Sequence, residues 1–138
     1  MSESNKQLVR RWYEEVWNQH DEAVIDELFT PGGKCYGFPD ADSTIGPEEF
    51  KASHRLFCGA FPDLNVAIED LIAENDRVVV RWKTTMTHTD DHLGFAATGK
   101  NVTLSGISIF QIADGKFIAG WNETNIPSLM QKLQATAE

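Results

Sequence analysis

Two periodicities divide the chain: up to Phe61 the apolar positions recur at helical spacing, and from Val66 onward they alternate. Val9, Trp12, Tyr13, Val16 and Trp17 share one helical face, with Arg10, Arg11, Glu14 and Glu15 between them, and Ser4 with Gln7 has capping-box spacing at the start. Asp21 is placed to cap a shorter helix to about Phe29, with Val24, Ile25 and Leu28 inward and Thr30-Pro31-Gly32-Gly33 ending it. Residues 34–45 carry Tyr36 and Phe38 amid Gly, Pro and Asp, which predicts a short strand or a loop, either a lid or surface packing. Gly46-Pro47-Glu48-Glu49 opens a third helix, because proline at the first helical position loses no needed donor and acidic residues suit the positive end. Phe50, His54, Phe57, Cys58 and Phe61 form its stripe, and Pro62-Asp63 closes it.

The alternating half predicts strands over Val66–Ala73 and Arg77–Thr89, joined at Glu74-Asn75-Asp76. In the second of these Val78, Val80, Trp82, Thr84, Met86 and His88 face inward, while Arg81 and Lys83 face out. After a connection from Asp90 to Lys100, a hairpin spans Val102 to Asn125 and turns at Ala113-Asp114-Gly115. In its last strand strict alternation puts Phe117, Ala119, Trp121, Glu123 and Asn125 on one face. Three helices followed by about four long strands predict an α+β fold in which a curved, mainly antiparallel sheet wraps around the helices. The hollow of such a sheet is a natural small-molecule site.

Composition narrows the function without naming it. The 138 residues suffice for one domain spanning 1–138, and no apolar run approaches the roughly 18 residues of a membrane span. The amino-terminal stretch lacks the layout of a secretory signal, so a cytoplasmic location is expected. Cys35 and Cys58 have no metal-like spacing and read as reduced thiols. A formal net charge of −9, with no basic cluster beyond Arg10-Arg11, argues against nucleic acid as a partner. His88 and His92, four apart across a strand end and a loop, make a poor metal pair, and no metal is expected. The polar groups that matter are those on apolar faces. His54 is either a satisfied core histidine or a group directed into a cavity, and Glu123 and Asn125 need partners or a ligand if buried.

Several stretches taken together carry a resemblance: LVRRWYEEVWNQHD, GPEEFK, FPDLNVAIEDLIAENDRVVVRWKTTMTHT, GFAATGKNVTLSGISIF and DGKFIAGW. Nearly end to end, the chain resembles the SnoaL-like polyketide cyclases, also called ester cyclases, of the nuclear-transport-factor-2-like superfamily. The resemblance implies a cone-shaped α+β barrel around an apolar cavity, a homodimer or higher homo-oligomer, and no metal or organic cofactor. It also implies closure of a polyketide ring by intramolecular aldol condensation, or related isomerase or hydrolase chemistry on an apolar carbonyl compound. The family's usual acid, four positions after the hairpin tryptophan, corresponds to Asn125 here; an acidic position two before that tryptophan is Ala119, and a polar position after the strand phenylalanine is Gln111. The expected site therefore has Asn125 orienting a substrate oxygen and Glu123, His88 or His54 moving a proton. Trp12, Trp17, Phe38, His54, Phe57, Trp82, Ile109, Gln111 and Trp121 would surround a small apolar carbonyl-containing ligand. The same pocket also suits a non-catalytic binding module. An epoxide-hydrolase or ketosteroid-isomerase constellation would need Arg81 on the inner face, opposite to its expected register.

Overall fold

The computed structural model describes residues 2–134, in the order α1 (Ser2–Arg11), a π-helical segment (Trp12–Asn18), α2 (Ala23–Leu28), β1 (Phe29–Tyr36), β2 (Thr44–Ile45), α3 (Pro47–Ala60), β3 (Val66–Glu74), β4 (Arg77–Thr87), β5 (Asn101–Ala113), β6 (Lys116–Thr124) and α4 (Ile126–Gln134). All six strands join one curved sheet in the order β2-β1-β6-β5-β4-β3, in which only β1 and β6 run parallel. The sheet does not close on itself, so the expected barrel is an open, curved sheet with β2 and β3 at its edges. The amino-terminal helical segments pack against its inner face through β1, β3 and β4.

Alternation dictates most of this arrangement. In β4, Val78, Val80, Trp82, Thr84 and Met86 are buried, as is His88 just beyond its end, while Arg81 reaches outward to Glu69 and Asp70. The β5–β6 turn has Asp114 and Gly115 at φ of 52° and 74°, the left-handed pair that the Asp-Gly sequence predicts. Asp21 accepts from the N–H of Ala23, and Glu49 reaches back to the N–H of Gly46, so both expected helix starts carry side-chain support.

Four expectations are corrected. Ser4 lies inside α1 rather than capping it. Thr30-Pro31-Gly32-Gly33 does not end a helix in a turn; it runs through β1, where pairing to β6 shifts between Phe29 and Lys34 and the proline has no N–H to offer. A fourth helix, α4, follows the sheet and buries Ile126, Leu129 and Leu133. Most consequential for the site, Ile112 pairs with Phe117 but Gln111 pairs with Ala119, leaving Ile118 as an extra residue in β6. Phe117 faces inward before this bulge, and beyond it the parity reverses: Gly120, Asn122 and Thr124 turn in, and Ala119, Trp121 and Glu123 turn out.

Candidate functional site

A cavity of about 60 Å³ lies between the helices and the sheet. That is room for a small ring or a few waters, since one water needs about 10–15 Å³ by this measure. The π-helical segment supplies Trp12, Tyr13 and Trp17; the wider π turn lets neighbouring positions project to one side, where an α-helix would spread them. Phe50 and Phe57 come from α3, Phe29 and Cys35 from β1, and Phe38 from the loop after it. Trp82 and Thr84 of β4, Leu104 and Phe110 of β5, and Gly120, Asn122 and Thr124 of β6 form the sheet wall. The rings meet mainly at tilted or edge-to-face angles, such as Trp12 with Phe117 at 5.4 Å and 89°, and Trp17 with Phe38 at 6.0 Å and 86°.

One polar strip crosses this apolar wall. The indole N–H of Trp82 donates to Ser108 Oγ at 3.1 Å, and the Ser108 hydroxyl donates to Asn122 Oδ1 at 2.7 Å. Asn122 Nδ2 in turn donates to the Tyr36 carbonyl at 3.0 Å and lies 3.3 Å from Cys35 Sγ. Gly106 permits the close packing of Trp82, because a Cβ there would stand 2.6 Å from the indole. The Tyr13 hydroxyl lies beside Ser108; burial raises its pKa and the nearby serine only partly opposes this. Burial likewise pushes the Cys35 thiol up to about 12, against the hydrogen bond from Asn122. Tyr13 therefore stays a proton donor at neutral pH and Cys35 stays a thiol. No carboxylate, histidine, lysine or arginine is among the residues lining the cavity.

Five of the expected ligand-binding residues meet here: Trp12, Trp17, Phe38, Phe57 and Trp82. His54 does not line the cavity. It is buried with Nε2 2.5 Å from the Val16 carbonyl and 3.4 Å from Cys58 Sγ, so it holds the end of the π-helical segment, and burial lowers its pKa. His88 is fully buried further along the inner face, against Phe61 and Phe95. Glu123 and Asn125 lie on the opposite side of the sheet, in a groove with Glu69, Arg81, Lys83 and Ile107. Asn125 extends the β5–β6 ladder there, accepting from the Ser105 N–H at 2.9 Å and donating its own N–H to the Ser105 carbonyl at 3.2 Å. Ile109 pairs with Trp121 on the same outer face, and Trp121 stacks on Tyr36 under the guanidinium of Arg77. Gln111 donates to Asp76 at 3.0 Å. Of the polar groups that alternation overlooked, Ser108 carried a signal, as a hydroxyl at an inward position of β5; Asn122 carried none, because the bulge before it moved it inward.

The profile of the SnoaL-like polyketide cyclases matches residues 7–133. A solved structure from Jannaschia sp. CCS1, described as a candidate SnoaL-like polyketide cyclase, is 26% identical, covers 99% of this chain and 95% of its own, and superposes with a TM-score of 0.87. AclR from Streptomyces galilaeus, described as a candidate hydroxylase, is 25% identical over 100% of this chain and 85% of its own, also with a TM-score of 0.87. A candidate polyketide cyclase from Acidithiobacillus ferrooxidans is 27% identical over 99% of both chains, with a TM-score of 0.80. No curated protein sequence matches the chain. With the family profile spanning nearly its whole length, the chain belongs to the SnoaL-like polyketide cyclase family.

Proposed function

We propose that the inner cavity takes a flat, neutral, apolar carbonyl compound of the polyketide type, and that the protein promotes its intramolecular aldol closure by hydrogen bonding rather than by proton abstraction. The observation that carries this reading is the Tyr13 hydroxyl, held protonated by burial beside the Trp82–Ser108–Asn122 strip in a wall of aromatic rings. A donor aimed at a developing alkoxide from a preorganised, apolar site stabilises charge that water would otherwise screen. The enol of a 1,3-dicarbonyl brings its own proton. As its carbon bonds to the second carbonyl carbon, the enol O–H becomes a ketone and its proton ends on the new alkoxide, so no protein base is required. This reading needs no cofactor. We also propose a cytoplasmic homodimer formed through the outer face of the sheet, where Ile72 and Ile107 are exposed.

Benzoylacetone, a stable 1,3-diketone, tests the proposal. Quenching of tryptophan fluorescence reports binding, and proton NMR in D2O reports exchange at the central carbon, in which water takes the proton and the protein contributes only hydrogen bonding to the enolate oxygen. The wild type is expected to bind it and to accelerate exchange. Tyr13→Phe should lower that rate about tenfold, the worth of one hydrogen bond, with little change in affinity. Binding without acceleration would favour the second reading, a non-catalytic binding module, for which the lack of any lining group ionised at neutral pH speaks. An absence of binding would remove the cavity as the site.

A further inference from the structure

The first helical run changes register in its middle: α1 ends at Arg11, and Trp12–Asn18 continues it as a π helix with i→i+5 bonds. Such turns are rare, so a contact from outside the helix must favour this one over the α form. The group that decides between them is the Val16 carbonyl. In an α-helix it would accept the N–H of His20, four residues on. Here His20 has left the helical register at φ 55°, while Gln19 donates back to Glu14 and Asp21 to Glu15, both at 3.0 Å, passing Val16 by. The Val16 carbonyl accepts instead from His54 Nε2 of α3 at 2.5 Å. The buried His54 ring also packs on Trp17, at 4.9 Å and 61°.

The π form changes the direction of the side chains it carries. Tyr13 and Trp17 are four residues apart, so an α turn sets Trp17 about 40° past Tyr13 round the axis, and the wider π turn sets it about 30° before. The far end of the segment is fixed. Asn18 accepts the Val66 N–H at 2.6 Å and donates to the Val66 carbonyl at 3.1 Å, and Trp17 packs on Phe38 and Phe50. A return to the α form would therefore turn Tyr13 by about 70°. That would take it from its place beside Ser108, where its ring lies 6.3 Å from Trp82 and 6.1 Å from Phe110.

We propose that His54 is a positioning residue for the Tyr13 hydroxyl: by taking the Val16 carbonyl that His20 would otherwise use, it holds the π turn that presents Tyr13 to the cavity. The role rests on the reading of Tyr13 as the donor to a substrate oxygen. His54 does not line the cavity, so it acts through the backbone of the π segment and not on the ligand.

Two amides of different reach test this in the full chain, with benzoylacetone as the probe. The side-chain nitrogen of His54→Gln stands where Nε2 does and can donate to Val16, while that of His54→Asn is one methylene short. His54→Asn should slow exchange at the central carbon about tenfold, as Tyr13→Phe does, and change affinity by less than about threefold. His54→Gln should keep the rate within about threefold of the wild type. Adding Tyr13→Phe to His54→Asn should cost nothing more, because the hydroxyl is already displaced. The backbone gives a readout that does not depend on catalysis: the His20 amide should exchange with D2O more slowly in His54→Asn, where it gains the Val16 carbonyl, and at the wild-type rate in His54→Gln. If His54→Asn does not fold, His54→Leu, which suits the apolar stripe of α3, replaces it in each comparison. A wild-type rate in His54→Asn, a double variant whose losses multiply, or an unchanged His20 amide overturns the positioning role and leaves the inner-cavity reading intact. A wild type that binds benzoylacetone without accelerating exchange removes the Tyr13 reading and the positioning role together.

Discussion

His54 stands 2.5 Å from the Val16 carbonyl with its ring edge against Trp17, and burial lowers its pKa below the ordinary histidine value of about 6.5. Glu22 favours the proton, while His20 and Arg55 oppose it, and desolvation outweighs them all. Above pH of about 6.5 the ring is neutral in folded and unfolded chains alike, and its full contribution to stability is present. As pH falls below that value the unfolded chain takes up a proton that the folded one refuses, and stability drops by up to about 1.4 kcal/mol per pH unit until the folded pKa is reached. Urea unfolding of wild type and His54→Gln at pH 7.5 and 5.5 should show the wild type losing more stability than the variant over the interval. Carboxylates contribute equally to both proteins, so parallel losses would show that His54 is not the titrating group. The sequence placed His54 on the apolar stripe of α3 and left two readings open. It had no means of identifying the partner, because Val16 lies 38 residues earlier, at the end of a π-helical turn that no hydrophobic period announces.

A single inserted residue decides which side of β6 holds the site. Alternation read β4 correctly along its whole length because its ladder to β5 runs without a break from Arg77 to Thr87. The same rule failed in β6 because it holds only while each residue has one partner, and Ile118 has none in the register. Asn125 was expected, by resemblance, at the place of an acid facing the cavity, and Asn122 went unremarked; the bulge exchanges their surroundings. Asn125→Asp should therefore leave benzoylacetone affinity unchanged and stability within about 0.5 kcal/mol, because a carboxylate oxygen still accepts the Ser105 N–H in an exposed groove. Asn122→Asp should cost about 2–3 kcal/mol, because it removes the donor to the Tyr36 carbonyl and leaves an acid in an apolar wall. Urea midpoints and probe titrations of the two variants check this. If Asn125→Asp alters probe affinity and Asn122→Asp does not, the assigned face of β6 is wrong. Helix α4 was legible and overlooked: Ile126, Leu129 and Leu133 have helical spacing, Pro127 suits a first turn, and Thr124 Oγ1 accepts the N–H of Ile126.

Helices cover one face of the sheet, and the other carries Ile72 at 63% and Ile107 at 48% exposure beside half-buried Val79, Ile109 and Trp121. Charges of both signs border that patch: Arg81 and Lys83 stand near Glu69 and Glu123. A two-fold pairing of such a surface is self-complementary, since each copy offers both the cations and the carboxylates. The ion pairs contribute little on an exposed face, about 0–1 kcal/mol each, so the apolar contact must carry the association. Working against it is the repulsion of two molecules that each carry a formal charge of −9. These terms respond oppositely to salt. Screening weakens ion pairs but also removes long-range repulsion, and with a Debye length of about 8 Å at physiological ionic strength the repulsion is the longer-reaching of the two. Sedimentation equilibrium should therefore show a dimer that tightens as salt rises from low to moderate concentration. Ile107→Asp should yield a monomer, while benzoylacetone still binds because the cavity lies on the other side of β5. A dimer that loosens with salt would mean that charge pairs dominate the interface. A dimer that survives Ile107→Asp would place it on another surface, and a wild type that is monomeric at every concentration tested would leave the open face of the sheet without a second copy to cover it.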